Sequence, residues 1–236
     1  MKIAILFSGH IRTYESVREN IFDNLIIPLE KQGHNCLIFS SIWSNNGFRE
    51  NGWGGDFDKN LLKNDSCKFE IETNKRDEFI NKYQNNNWQE YSNLSGPETC
   101  GDAVSMWYKI YKCFKLLNEE KNIDLIFRIR PDMYFNNKFD ISFLKYIQDN
   151  TVYMPLWHGK YEKVTLRIMD HFSFGKYESM KIYCGLYDKI DEIIERNGVF
   201  TAEGFLSSHL KYNKVNIIRF NLNYSVMRTY GLEQVS

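Results

Sequence analysis

Two arginines and an aspartate follow one another at the end of an apolar stretch in the middle of the chain. The segment reads Phe127-Arg128-Ile129-Arg130-Pro131-Asp132, and the alternation of side chains along a strand places Arg128 and Arg130 on one face. Two arginines on a buried face are costly without anionic partners, and together they suit a diphosphate. Asp132, just past the strand, could hold a metal ion or a ribose. The alternative interpretation is a structural Arg–Asp ion pair at the edge of the sheet.

A second polar segment, Ser8-Gly9-His10-Ile11-Arg12-Thr13, follows the first apolar stretch of the chain. Gly9 permits a close approach of the backbone to a ligand, Ser8 and Thr13 can donate hydrogen bonds, and Arg12 offers a guanidinium fork for phosphate. A helix begins next and directs its positive end to the same place. The segment fits a nucleotide or phosphate, although it is neither a G-x-G-x-x-G fingerprint nor a P-loop. The alternative is an ordinary turn with a solvent-facing arginine.

Carboxylates in the second half of the chain are candidates for proton transfer. Asp170-His171 precedes a short apolar stretch and could line an acceptor pocket, although a lone histidine is often structural. Glu203 lies in the first turn of a predicted helix, where a carboxylate is often only a partner of the helix dipole. Glu203 is also a candidate general base. Trp53 and Trp157, in predicted loops, are candidates for stacking on sugar rings.

Composition excludes several classes of protein. Among the 236 residues, 30 Lys and Arg balance 30 Asp and Glu, which argues against broad binding to nucleic acid or to anionic lipid. The 5 cysteines show no C-x-x-C spacing, so neither a disulfide framework nor a zinc signature is indicated. No Ser-His-Asp arrangement, G-x-S-x-G elbow or H-E-x-x-H motif supports a hydrolase or a zinc enzyme.

Neither a signal peptide nor a transmembrane segment is expected. The apolar run at the N-terminus is short and is followed at once by polar residues. No stretch approaches the roughly 20 apolar residues that span a bilayer. We therefore expect a cytoplasmic protein, with peripheral membrane contact left open.

These residues require a scaffold of alternating strands and helices. Ile3 to Phe7 and Asn35 to Ser40 read as buried strands, and Thr13 to Asn24 reads as the helix between them. This βαβ unit predicts parallel pairing with a right-handed crossover. Residues 43–66 are rich in Asn and Gly and are expected to form a long loop.

The rest of the chain continues the alternation. Expected helices cover Asp102 to Asn118, Lys176 to Arg196, and Thr201 to Tyr212 with Thr201 as N-cap. Expected strands are Lys68 to Glu72, Ile123 to Arg130, Thr151 to Leu156, His171 to Phe174 and Val215 to Phe220. The pattern predicts one α/β domain over residues 1–236, with a mostly parallel sheet and helices on both faces. Ligands bind such sheets at the carboxyl ends of the strands, where the polar segments lie.

The order of these motifs resembles a group of glycosyltransferase-like proteins. They occur in bacterial surface-polysaccharide gene clusters and in large DNA viruses, and the WavE-type lipopolysaccharide synthesis proteins are similar. The resemblance implies a GT-A-like, Rossmann-like fold that binds a nucleotide-sugar near its N-terminal half. It also implies that Asp132 takes the place of the Asp-x-Asp metal motif. The sequence departs from that motif, because Asp132-Met133-Tyr134 carries a single carboxylate.

The sequence therefore leads to the expectation of a glycosyltransferase. A UDP- or GDP-sugar would donate its sugar to a hydroxyl of a glycan or glycolipid, and Mn²⁺ or Mg²⁺ would be optional. Ser8, Gly9, Arg12, Arg128, Arg130 and Asp132 would bind the donor, with Glu203 or Asp170 as the base of an inverting route. A retaining route would not need that base. The alternatives are a glycan-binding module without activity and another nucleotide-using transferase.

Overall fold

The fold is described by a computed structural model that covers residues 1–44, 58–84, 97–156, 168–197, 201–228 and 231–234. Its strands are, in chain order, β1 Lys2–Gly9, β2 Asn35–Trp43, β3 Lys68–Glu72, β4 Leu125–Ile129, β5 Met133–Phe135, β6 Thr151–Pro155, β7 Phe172–Lys176, β8 Asn216–Phe220, β9 Tyr224–Arg228 and β10 Gly231–Gln234.

Seven of these strands form the central sheet, in the order β3-β2-β1-β4-β7-β6-β8. Strand β7 runs antiparallel to both of its neighbours, and all other pairs in this sheet are parallel. The predicted α/β fold with a mostly parallel, Rossmann-like sheet is therefore confirmed. The extent of the domain over residues 1–236 stays a prediction.

The helices of the described residues are α1 Tyr14–Ile21, α2 Ile27–Lys31, α3 Lys59–Asp65, α4 Arg76–Tyr83, α5 Pro97–Lys115, α6 Tyr177–Cys184, α7 Ile190–Asn197 and α8 Ala202–Tyr212. Two hydrophobic clusters lie on opposite faces of the sheet, because successive side chains of a strand point to opposite sides. Leu6 of β1 shares one cluster with Trp107 of α5, and Ile5 shares the other with Val17 of α1. The expected placement of helices on both faces is confirmed.

A second, antiparallel sheet of three strands was not predicted. It has the order β10-β9-β5, and β5 begins directly after Pro131-Asp132. Its strands are short and pair with segments distant in the chain, so local periodicity gives no signal for them. This small sheet anchors the backbone that follows the Arg-x-Arg-Pro-Asp segment.

Several predicted boundaries change. The helix expected over Thr13 to Asn24 continues through a π-helical segment, Phe22–Ile26, into α2. The single helix expected over Lys176 to Arg196 is divided by a 3-10 segment, Gly185–Lys189.

The expected loop over residues 43–66 contains α3. Asp58 caps this helix by accepting a hydrogen bond from the Asn60 amide. Helix α4 was missed as well, because only Phe79 and Tyr83 bury apolar rings on it. Within the described ranges, no helix has both the length and the apolar character that crossing a membrane would need.

Candidate active site

A cavity of about 180 Å³ lies beyond the carboxyl ends of β1, β2 and β4. The helices that follow β1 and the helix that precedes β4 pack on opposite faces, so the gap between these two strands is a topological switch point. All six residues that the sequence nominated for donor binding line this cavity: Ser8, Gly9, Arg12, Arg128, Arg130 and Asp132. The structure thus brings together residues from two segments more than a hundred positions apart.

Arg128 is a buried cation, and two of its hydrogen-bond donors are unsatisfied among the described residues. Its side chain belongs to β4, where residue 128 lies between Leu6 of β1 and Ser173 of β7, and only 1% of the residue is exposed. Among the described residues, no acceptor lies within hydrogen-bonding geometry of its Nε or Nη1 atoms. Leaving such donors unsatisfied is costly, and an anionic ligand in the cavity would satisfy them.

Three buried hydroxyl groups near this end of the sheet are also unsatisfied among the described residues. Ser8 Oγ, Ser173 Oγ and Tyr183 OH make no hydrogen bond of good geometry within the described part of the chain, although Ser173 lies close enough to Tyr183 to act on its pKa. The charge of Arg128 acts on Tyr183, which places that ring near the guanidinium. Sequence reasoning missed Tyr183, and it placed Ser173 only in a segment that could line an acceptor pocket, because the register of Ser173 with Arg128 depends on the reversed direction of β7.

Asp132 is held by two arginines. Arg130 donates from Nε to Oδ1 at 2.9 Å and from Nη2 to Oδ2 at 2.8 Å, and Arg12 donates from Nη1 to Oδ2 at 3.0 Å. The carboxylate is 1% exposed. Arg130 is partly buried, yet its pKa lies above the ordinary value because the charge and hydrogen bonds of Asp132 outweigh the cost of burial.

The turn between β1 and α1 has an unusual backbone. Gly9 has φ 103° and Arg12 has φ 44°. Residues other than glycine rarely adopt a positive φ, so the backbone of Arg12 is unusual. Strain of this kind persists where the surroundings fix it, as at many binding sites. Thr13, expected to donate to a ligand, instead donates its hydroxyl to the Met227 carbonyl at 2.9 Å. That expectation is corrected, because the small sheet occupies the hydroxyl.

Asp170 and His171 lie against the arginines. Burial alone would raise the pKa of Asp170, but His171, Arg128 and Arg130 outweigh it and lower the pKa below the usual value. His171 is neutral at pH 7, because burial and then Arg130 lower its pKa to about 4. Its Nδ1 lies 3.2 Å from the Tyr224 hydroxyl, and its Nε2 lies 3.6 Å from Asp170 Oδ1.

Glu203 interacts with Asp170, and neither of these two carboxylates is among the residues that line the cavity. The predicted N-cap is confirmed, because Thr201 Oγ1 accepts a hydrogen bond from the Gly204 amide at 3.1 Å and so fixes the first turn of α8. Burial raises the pKa of Glu203, and the negative charge of Asp170 raises it further. The two carboxylates named as candidate bases are therefore close enough to influence each other, and their pKa values move in opposite directions.

The other wall of the cavity was not predicted. Trp43, at the end of β2, is stacked on Tyr108 with ring centroids 5.6 Å apart and an interplanar angle of 10°. The side chain of Lys109 is fully buried, and its Nζ atom lies 4.8 Å from the centre of the Trp43 ring. Arg76 and Asp102, joined by a bond of 2.6 Å from Nε to Oδ1, line the same wall.

The residues present do not fit a divalent metal ion. Both oxygens of Asp132 already accept hydrogen bonds from guanidinium groups. The described ranges contain no group of three or more His, Cys, Asp or Glu side chains placed to hold a metal. Trp53 and Trp157, proposed above to stack on sugars, lie outside the described residues.

No protein-family model matches the chain, and no curated protein matches it. Among solved structures, it is similar to the crystal structure of a glycosyltransferase involved in the glycosylation of the major capsid of PBCV-1, with 13% sequence identity and a TM-score of 0.47. That likeness covers 94% of this chain and 83% of the other. A likeness of this extent assigns no function, so a functional proposal depends on the site itself.

Proposed function

We propose that the protein transfers a sugar from a nucleotide-diphosphate donor to a hydroxyl of a glycan or glycolipid. The observation that carries this proposal is the buried guanidinium of Arg128, whose Nε and Nη1 have no partner among the described residues although the side chain lines a cavity at the switch point. Arg128 lies close enough to Asp170 to lower the pKa of that carboxyl, but its Nε and Nη1 donate no hydrogen bond within the described residues, and a bound anion would satisfy these buried donors.

The charge of the cavity supports a diphosphate. Four arginines and two aspartates line it, so it carries two net positive charges although the whole chain is neutral. Negative charge builds on the diphosphate leaving group as the bond to the sugar breaks. Preorganised positive groups stabilise that charge in a site where water is scarce. In this proposal Arg128, Arg130 and Arg12 have that role.

Glu203 is the better candidate for the general base. A base is most effective when its pKa approaches the working pH, and burial together with Asp170 raises the pKa of Glu203. The pKa of Asp170 is lowered, so this group stays charged and suits orientation of the acceptor or of His171.

The reaction then follows an inverting displacement. Glu203 takes the proton of the acceptor hydroxyl, whose oxygen forms the new bond to the anomeric carbon. The bond from that carbon to the diphosphate breaks, and its electron pair leaves with the diphosphate beside Arg128. In this proposal the positive charge beside the leaving diphosphate comes from the arginines of the cavity.

A screen of ligands by thermal unfolding tests the proposal. UDP, GDP and their sugar derivatives should raise the melting temperature, because a ligand that binds only the folded state stabilises it. Nucleotide-sugars that produce a shift are then incubated with glycan acceptors, and release of the free nucleoside diphosphate is measured.

Other outcomes identify other functions. Cooperative unfolding with no shift from any nucleotide, together with binding of a glycan, would contradict the proposal in favour of a glycan-binding module. Turnover of a nucleoside triphosphate without sugar transfer would indicate another nucleotide-using transferase.

A further inference from the structure

We propose that Asp132 is a positioning residue, which holds Arg12 and Arg130 as a two-guanidinium clamp for the donor diphosphate in the place of a divalent cation. The inference depends on the proposed function, because it assigns the group that binds the leaving diphosphate. It replaces the role of metal ligand that the sequence suggested for Asp132.

The hydrogen bonds fix both guanidinium groups. Arg130 is bound in bidentate fashion through Nε and Nη2, with distances of 2.9 and 2.8 Å to the two carboxylate oxygens. Arg12 shares Oδ2 through its Nη1 at 3.0 Å. Charge-assisted bonds of this kind hold the planar forks in fixed orientations, which a diphosphate requires.

The backbone of Asp132 extends this connection to a third segment. The Met227 amide donates to the Asp132 carbonyl at 2.8 Å, and the Met227 carbonyl accepts from the Thr13 hydroxyl at 2.9 Å. Arg12 and Thr13 belong to the turn after β1, while Met227 belongs to β9. Asp132 therefore joins the β1 turn, the end of β4 and the small sheet, so a shift of its carboxylate would move both arginines.

Burial places the arginines in front of the aspartate. The side chain of Asp132 is 1% exposed, whereas those of Arg12 and Arg130 are 16% and 17% exposed. A species that enters from the cavity thus meets the guanidinium groups more readily than the carboxylate. Together with the positive charge of the cavity, this arrangement attracts an anion and repels a free divalent cation.

Pyrophosphate and Mn²⁺, each used alone, test the clamp on the full chain. Calorimetry with pyrophosphate in EDTA should show binding to the wild-type protein. Electron paramagnetic resonance should show that the protein does not remove Mn²⁺ from solution. Asp132→Asn should weaken pyrophosphate binding by about tenfold, since the orientation of both arginines is lost. An effect of charge alone would strengthen pyrophosphate binding, because Asp132→Asn removes a negative group near the bound anion.

Asp65→Asn is the matched control. Asp65 also accepts two hydrogen bonds from one arginine, Arg18, at 2.7 and 2.6 Å, and it lies outside the cavity. Asp65→Asn should lower stability without changing pyrophosphate affinity. Arg12→Lys keeps the positive charge but loses the planar guanidinium, so it should weaken pyrophosphate binding. This second variant tests the clamp if Asp132→Asn does not fold.

Contrary results separate the two proposals. Tighter pyrophosphate binding by Asp132→Asn would overturn the positioning role. Nucleotide binding that requires Mn²⁺ and loses this requirement in Asp132→Asn would also overturn it, while the proposed transferase function would stand. If neither UDP nor GDP binds with or without Mn²⁺, the proposed function fails and the clamp has no diphosphate to hold.

Discussion

Arg128 lies directly opposite Ser173 in the antiparallel pair of β4 and β7, and both side chains are buried with polar atoms that have no hydrogen-bond partner among the described residues. The reversed strand therefore brings a serine into register with Arg128, which lines the cavity. Two unsatisfied groups in register are more costly to the apo protein than either one alone, and a bound anion would remove this cost.

Arg128→Met should separate stability from binding. An apolar side chain of similar length removes the cost of a buried charge and also its attraction to Asp170, so these two effects offset each other and the free energy of unfolding should change little. Affinity for the nucleoside diphosphate that the screen identifies should fall by about tenfold to a hundredfold, because charge-assisted hydrogen bonds are lost. Chemical denaturation and calorimetry measure the two quantities on the same sample.

Arg219→Met is the control for this substitution, because Arg219 is exposed on β8 and does not line the cavity. It should change neither quantity. Unfolding of Arg128→Met at clearly lower denaturant, with diphosphate affinity retained, would show that Arg128 is a structural residue and would contradict its binding role.

Glu203→Gln should slow transfer by at least about a hundredfold and leave donor affinity unchanged, because a general base acts on the acceptor proton and not on the diphosphate. The acid limb of the pH–rate profile should also disappear. Glu195→Gln, at an exposed position of α7, should have no effect. A loss smaller than tenfold in a folded protein would exclude Glu203 as the base.

Asp170→Asn should move the acid limb of the rate profile to lower pH. The negative charge of Asp170 contributes to the raised pKa of Glu203, so its removal lets Glu203 lose its proton at lower pH. The rate is measured across the acid range with saturating donor. A limb that stays in place would show that Glu203 does not sense Asp170, and a limb that moves upward would contradict the assignment of the base.

Much of the central sheet could be predicted because its strands are buried on both faces and read as continuous apolar runs. Ile3 to Phe7 and Leu125 to Ile129 are examples. The direction of β7 could not be predicted, because the alternation of side chains between the two faces of a sheet is the same whichever way the strand runs. The small sheet was missed for a related reason, because the pairing of β5 with β9 is not encoded in either segment alone.

The gathering at one cavity of the residues proposed for donor binding could be predicted, because parallel strands deliver the residues after them to one edge. From this rule alone, Ser8 and Arg128 are expected at the same edge of the sheet, and both line the cavity. It could not reveal that Asp132 pairs with Arg12, which requires the fold of the β1 turn. Trp43 and Asp102 were missed because their segments read as the start of a loop and an ordinary helix.

Gly9→Ala should lower stability by about 1 kcal/mol through the backbone alone. A Cβ at this position meets no atom within 4 Å, so the loss of stability does not come from a steric clash. It comes from the backbone angle φ of 103°, which residues other than glycine rarely adopt. Chemical denaturation measures this loss. Nucleotide affinity should fall as well if Gly9 approaches the ligand closely, and an unchanged affinity would limit the role of Gly9 to the shape of the turn.

His171→Asn should flatten the dependence of stability on pH. The pKa of His171 is lowered from 6.5 to about 4 in the folded protein, so between these values the unfolded chain binds a proton that the folded protein does not. Stability of the wild type must therefore fall as the pH drops from about 6.5 to about 4, by up to about 3 kcal/mol from this group. Asparagine keeps a polar acceptor near the Tyr224 hydroxyl and does not titrate, so the variant should lose this part of the slope. Denaturation at a series of pH values measures the difference between the two proteins, and parallel curves across this range would show that His171 is not held in its neutral form.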